Sequence, residues 1–139
     1  DISENALQVA AGNAKRLSAT IDFKQGDLAE PISHEKWDIV LSNPPYIAHS
    51  EAPSLSDTVM DYEPHLALFA DEDGLLLYRK LAEQLPSLMN STSLIGFEIG
   101  YEQGSAVAGM LQKAFPKGNV EVIQDINGKN RFVFCTNAE

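Results

Sequence analysis

The residues best equipped for chemistry are Asn43, Pro44, Pro45 and Tyr46, four in a row. The Asn43 amide offers two N–H donors and a carbonyl acceptor. The Pro44 carbonyl is a second acceptor, and the following Pro45 has no N–H to donate back to it. Two fixed acceptors held close together suit a planar NH2 group, such as a side-chain amide or the exocyclic amine of a base. Tyr46 is placed to pack against that flat group and shield it from water. A bare pair of prolines reads more simply as the end of a strand and the start of a surface loop. The run that precedes this pair favours the functional reading.

That run is Asp38-Ile39-Val40-Leu41, followed by Ser42. Its aliphatic character fits the heart of a parallel strand covered on both faces. Pro44 and Pro45 then forbid helix and further ladder pairing, and Pro44 pushes Asn43 toward an extended backbone. The four residues are thereby presented at the carboxyl end of a strand, the edge where open α/β sheets bind ligands.

Composition sets the limits. A chain of 139 residues with 44% hydrophobic residues can bury one core, so one domain is expected. The formal charge of −10 counts against a general nucleic-acid surface. The single cysteine, Cys135, permits neither an intrachain disulfide nor a zinc cluster and reads as a small core residue in an apolar strand. His34, His49 and His65 lack metal-ligand spacing. Without a signal peptide or a membrane-length apolar run, the expected location is cytoplasmic, with no membrane partner.

Along the chain, Leu7, Ala10, Ala11, Ala14 and Leu17 form a helical stripe, capped by Asp1 or Ser3. Residues 20–25 read as a strand with Ile21 and Phe23 on one face, and Gly26-Asp27-Leu28 as a turn. Residues 30–36 form a polar loop. Residues 47–64 carry little periodicity and read as a long loop that either borders a substrate groove, with Glu63-Pro64 framing it, or is an exposed connection between two elements. Leu66 to Phe69 could form a short strand.

Asp71 or Asp73 should cap the next helix, whose stripe is Leu77, Leu81, Leu85 and Leu88 and which Pro86 ends or bends. Residues 94–99 form a buried strand, with Glu98 either an ionised ligand contact or a hydrogen-bonded structural group. Residues 103–115 form a helix with Ala106, Val107, Met110, Leu111 and Ala114 inward. Residues 120–126 and 131–135 pair as a hairpin around Asn127-Gly128. The alternation of strands and helices gives an α/β class with a mostly parallel sheet and a C-terminal antiparallel hairpin.

Asn43-Pro44-Pro45-Tyr46 resembles the signature of S-adenosylmethionine-dependent methyltransferases that act on planar amino nitrogens. These include adenine-amino DNA methyltransferases and the HemK/PrmC-type glutamine methyltransferases of peptide chain release factors. The later chain is similar to the second group, in Tyr62-Glu63-Pro64 with Ala67-Leu68, Gly74-Leu75, Phe97-Glu98-Ile99-Gly100, and Asp125 through Gly128 to Arg131. The resemblance implies a Rossmann-like methyltransferase fold and transfer of a methyl group to a glutamine side-chain nitrogen in a Gly-Gly-Gln loop. The implied partner is the release factor itself, without direct nucleic-acid binding.

Under the same resemblance Asn43 and Pro44 hold the substrate nitrogen, Pro45, Tyr46 and Glu63 complete its site, and Asn43 also meets the cofactor. Asp1 binds the cofactor ribose, Asp27 lies near its adenine amino group, and Leu28 packs beside the ring. Read without the family, Asp1 is a helix cap and Asp27 part of a Gly-Asp turn. The family's first strand and glycine-rich loop lie upstream of what this chain contains, so residues 1–139 read as a partial catalytic domain. The alternatives are a methyltransferase for an amino group of a nucleic-acid base and a non-catalytic fragment that needs its upstream half.

Overall fold

Ser3 starts the first helix. Its Oγ accepts from the Ala6 N–H at 3.2 Å, and α1 (Glu4–Arg16) follows with Glu4 in its first turn and Lys15 and Arg16 in its last. Cap and charges all favour the helix ends on which they sit. The cap is therefore Ser3; Asp1 instead accepts the Ser3 N–H at Oδ1, 2.8 Å away. The computed structural model describes residues 1–54 and 56–137. They divide into two compact units, Asp1–Lys36 and Trp37–Glu139.

In the first unit, residues 20–25 do not form the expected strand. A strand needs a ladder of partners, and among the described residues backbone pairing is confined to the end of the segment. The Asp1 nitrogen donates to the Lys24 carbonyl and the Gly26 N–H to the Asp1 carbonyl, both at 3.1 Å, while Ile21 stays exposed. At Gly26 an added Cβ would lie 2.3 Å from Pro31 Cγ, so the turn closes tightly on the proline. Leu28 follows at φ +48°, a left-handed conformation uncommon for leucine. The expected polar loop contains a short 3-10 turn, Glu30–Ile32.

The second unit begins with β1 (Trp37–Ser42), which runs into the motif loop. Next come β2 (Ile47–Ala48), a 3-10 run His49–Ser54, α2 (Asp57–Tyr62), α3 (His65–Leu68) and β3 (Phe69–Ala70). Residues 47–54 and 56–64 thus hold a short strand and helical turns in place of the expected loop, whose residue 55 lies outside the described residues, and Leu66 is helical, with Phe69 and Ala70 in a strand. Strands β2 and β3 pair in parallel, and His49 stacks on Phe69 with ring centroids 5.2 Å apart.

The single turn α4 (Asp71–Gly74) is kinked, with Glu72 and Asp73 left-handed, and α5 (Leu76–Gln84) starts without a side-chain cap. Neither Asp71 nor Asp73 caps it, because the kinked turn comes between. The α5 stripe is Tyr78, Leu81 and Ala82, continued by Leu85 and Leu88, with Leu77 only half-buried. The helix stops at Gln84, where a 3-10 turn containing Pro86 takes over. β4 (Met89–Glu98), α6 (Gly104–Ala114), β5 (Asn119–Gln124) and β6 (Asn130–Asn137) complete the chain. On α6, Val107 and Leu111 are buried, whereas Ala106 is exposed.

The main sheet has the order β1-β4-β6-β5, with β1 and β4 parallel and the other two pairings antiparallel. α6 packs on β5 and β6 and against α5. The covered face carries Ile95, Phe97, Val133 and Cys135, each at most 1% exposed. Fully burying side chains of this kind contributes about 1.5–3 kcal/mol each. Burial also pushes the Cys135 thiol up, as suits a core residue.

The expectation that residues 38–41 lie in a strand covered on both faces does not hold. Ile39 is 59% and Leu41 68% exposed. Among the described residues β1 has a neighbour only on the β4 side, and alternate side chains point away from the helix-covered face.

Candidate active site

The register of β1 on β4 places the motif. Ser42 pairs with Phe97, so Asn43 leaves one strand where Glu98 ends the other. Both lie at the carboxyl ends of parallel neighbours, the edge where such sheets place their sites. Residues 43–46 carry no regular structure, as the two prolines dictate. Asn43 is exposed, Pro44 buried, and Pro45 and Tyr46 half-buried.

Around the end of β4 the side chains converge. The Tyr46 hydroxyl donates to Glu98 Oε1 at 3.5 Å, and the Tyr78 hydroxyl to the Glu98 carbonyl at 2.6 Å. Arg131 donates from a terminal guanidinium nitrogen to the Ile99 carbonyl at 3.2 Å, and its Nε lies 3.6 Å from Asp125 Oδ2. Tyr46 thus holds the Glu98 carboxylate and Tyr78 its main-chain carbonyl. Burial raises the Tyr46 phenol above its ordinary value; the Glu98 carboxylate adds to the rise and Arg131 opposes it.

A cavity of about 450 Å³ opens beside this cluster, with Tyr46, Glu51, Asp73, Tyr101, Gln103 and Arg131 in its wall. Glu63 is not in that wall; it sits on an exposed bend between α2 and α3. Asp1, Asp27 and Leu28 belong to the first unit, where the Asp1–Gly26 backbone bond sets the acid at the chain start beside the Gly26-Asp27-Leu28 turn.

Sequence reasoning passed over Gln103, Arg131 and Tyr78 as functional candidates. For Gln103 a signal existed: the spacing Gly100-x-x-Gln103 matches the backward reach of a capping box, and Gln103 Oε1 accepts the Gly100 N–H at 2.9 Å. For Tyr78 and Arg131 the partners are main-chain carbonyls far along the chain, which no local pattern announces.

Comparison with known proteins bears on this arrangement. A family model described as the methyltransferase small domain matches residues 1–62. A release factor glutamine methyltransferase of Bacillus anthracis is 46% identical over 137 residues, 97% of this chain and 48% of that protein. The chain therefore spans about half the length of the curated relatives it matches. Among solved structures, a methyltransferase from Pyrococcus furiosus superposes on the whole chain and 61% of its own, with TM-score 0.70 and 12% identity. A release factor-specific protein-(glutamine-N5) methyltransferase from Alicyclobacillus acidocaldarius covers 94% of this chain and 74% of its own, with TM-score 0.54 and 21% identity. The fold is the Rossmann-like α/β fold of methyltransferases.

Proposed function

We propose that this chain, homologous over nearly its whole length to part of the release factor glutamine methyltransferases, forms part of the catalytic domain of such an enzyme. The observation that carries the reading is the Asn43-Pro44-Pro45-Tyr46 loop held at the carboxyl end of β1, beside the Glu98 end of β4. The substrate in this reading is a release factor, presented through the glutamine of its Gly-Gly-Gln loop, and the setting is cytoplasmic. No helix among the described residues is long and apolar enough to cross a membrane.

A glutamine amide nitrogen is a poor nucleophile, because its lone pair is delocalised into the carbonyl. The Asn43 side-chain oxygen and the Pro44 carbonyl accept its two N–H groups. That aims the nitrogen and favours the positive charge that grows on it during attack. Tyr46 stacks on the amide plane and excludes water. The catalysis asked of this chain is positioning and electrostatics, with no general base assigned.

S-adenosylmethionine, when bound, supplies an activated methyl group on sulfur. The donor set suits it. Asp1 offers a carboxylate, oriented by the Ser3 N–H, to ribose hydroxyl donors. Asp27 offers a carboxylate to an amino group, and Leu28 an apolar surface to a ring. Asn43 is assigned to the cofactor as well as to the substrate in this reading.

The test is calorimetric titration of S-adenosylmethionine into the chain and into the full-length protein, followed by methyl transfer to a Gly-Gly-Gln peptide. Binding and transfer by the full-length protein support the reading. Binding by neither sinks it, and salt-sensitive transfer to a nucleic-acid base in place of the peptide redirects it.

A further inference from the structure

The Gln103 side chain ties together three separate stretches of backbone. Its Oε1 accepts the Gly100 N–H at 2.9 Å, and its Nε2 donates to the Tyr46 carbonyl at 2.9 Å and the Asp73 carbonyl at 3.3 Å. Only one of the two amide orientations satisfies this set, because two partners are carbonyls and one is an N–H. Both amide hydrogens and the amide oxygen are engaged.

The slot that receives this amide is closely fitted. Gly74 sits at φ +80°, and a Cβ there would lie 2.0 Å from the Tyr46 carbonyl oxygen and 2.6 Å from Gln103 Nε2. At Gly100 a Cβ would meet Gln103 Oε1 at 3.0 Å. The chain reaches Gly74 through Glu72 and Asp73 at φ +56° and +55°, two left-handed non-glycine residues in succession. Strain of that kind persists only where the surroundings over-determine it, and the Gln103 bond to the Asp73 carbonyl is one such restraint.

The motif loop is therefore pinned at both ends. Ser42 is held by the ladder to Phe97, and the Tyr46 carbonyl by Gln103. Between them, Pro44 and Pro45 have fixed φ, so few torsions remain to Asn43 and the Pro44 carbonyl.

We propose that Gln103 is a positioning residue for methyl transfer: by holding the Tyr46 carbonyl it sets the separation and aim of the two acceptors, Asn43 and Pro44. It acts through Tyr46. This rests on the methyltransferase reading above. Displacement by about 1 Å of groups that orient a reacting atom can cost about 10²-fold in rate.

The experiment compares Gln103→Glu and Gln103→Ala with wild type in the full-length protein. The glutamate keeps an acceptor for Gly100 but sets a carboxylate against two carbonyls, whereas the alanine removes all three bonds. Two readouts are taken: the NMR resonances of the Asn43 side-chain amide and the Tyr46 ring, and kcat and KM with a Gly-Gly-Gln peptide. Circular dichroism confirms that each variant is folded. The expected result is displaced Asn43 and Tyr46 resonances in both variants, with kcat down about 10- to 100-fold and KM nearly unchanged. Folded variants with wild-type resonances and wild-type kcat, differing only in melting temperature, overturn the proposal and leave Gln103 a purely structural residue. Wild-type protein that transfers no methyl group defeats the methyltransferase reading and this inference with it. An active wild type whose variants are equally active defeats this inference alone.

Discussion

The Tyr46 hydroxyl lies 3.5 Å from Glu98 Oε1, so the last residue of the motif meets the last residue of β4. Burial raises the phenol first, the Glu98 carboxylate raises it further, and Arg131 pulls it back. Glu98→Gln removes the like-charge penalty on the phenolate while preserving an acceptor. The Tyr46 titration, followed by ring-carbon NMR and assigned with Tyr46→Phe, should move down toward the ordinary phenol value near pH 10. An unmoved titration would show that Glu98 does not reach the phenol.

Asn43→Ala removes one of the two proposed acceptors for the substrate amide. Losing one preorganised polar partner at a reacting centre typically costs about 10²- to 10³-fold in kcat. Turnover should therefore fall by that order, with a much smaller change in S-adenosylmethionine affinity by calorimetry. Equal losses in the two would refute the role assigned to Asn43.

Gly74 and Gly128 separate steric crowding from backbone strain. Both have positive φ, +80° and +74°, but an added Cβ meets the Tyr46 carbonyl at Gly74 and nothing within 4 Å at Gly128. Gly128→Ala should cost about 1–2 kcal/mol for the left-handed conformation alone. Gly74→Ala adds an overpacking penalty of about 1–3 kcal/mol. Urea unfolding of the two variants measures the difference, and equal losses would mean the Gly74 approach relaxes freely.

Tyr78 is fully buried and donates to the Glu98 carbonyl at 2.6 Å. Burial, with smaller contributions from Tyr46 and Glu98, pushes its phenol far above the ordinary range. The native state then holds this proton more tightly than the unfolded chain. Its contribution is complete below about pH 10 and is lost as pH rises beyond that. Tyr78→Phe should cost about 1 kcal/mol at neutral pH through the lost hydrogen bond. It should also flatten the alkaline decline in melting temperature, and an unchanged decline would contradict this assignment.

Asp125 organises the final hairpin. Its Oδ1 accepts the Asn127 N–H at 2.8 Å and the Lys129 N–H at 3.1 Å. The Lys129 N–H above all, then that of Asn127 and the Arg131 charge, hold the carboxyl below its ordinary value against a partial desolvation effect. The resulting stability is present above about pH 4 and is lost as pH falls through the depressed titration. Asp125→Ala should lower the melting temperature at neutral pH and make it less sensitive to acid. Retention of the full acid sensitivity would place it elsewhere.

Much of this chain was legible in its sequence, because the signals are local. Two prolines after an aliphatic run end a strand, whatever surrounds them. A helical stripe with Ser3 ahead of it gives α1, the heptad-like leucines give most of α5, and Asn127-Gly128 announces the turn between β5 and β6. The motif tetrapeptide and its downstream companions carry the family resemblance behind the proposed chemistry, and an amide beside a proline-fixed carbonyl complements an NH2 group in any fold.

Other features depended on which segments find partners in space, and there the local pattern misled or was silent. Residues 20–25 have strand composition, yet among the described residues backbone pairing is limited to the contact with Asp1. Residues 38–41 have the composition of a doubly covered strand, yet Ile39 and Leu41 are exposed. The Gln103 bridge joins residues 57 and 30 positions away, to Tyr46 and Asp73. Sequence thus determined where the motif's chain bends and what chemistry its groups carry, because proline geometry and amide hydrogen bonding are properties of the residues themselves. Tertiary structure alone decided which distant carbonyls Gln103 and Tyr78 would hold, because those bonds exist only once β4, α5 and α6 have packed and brought their ends to one edge of the sheet.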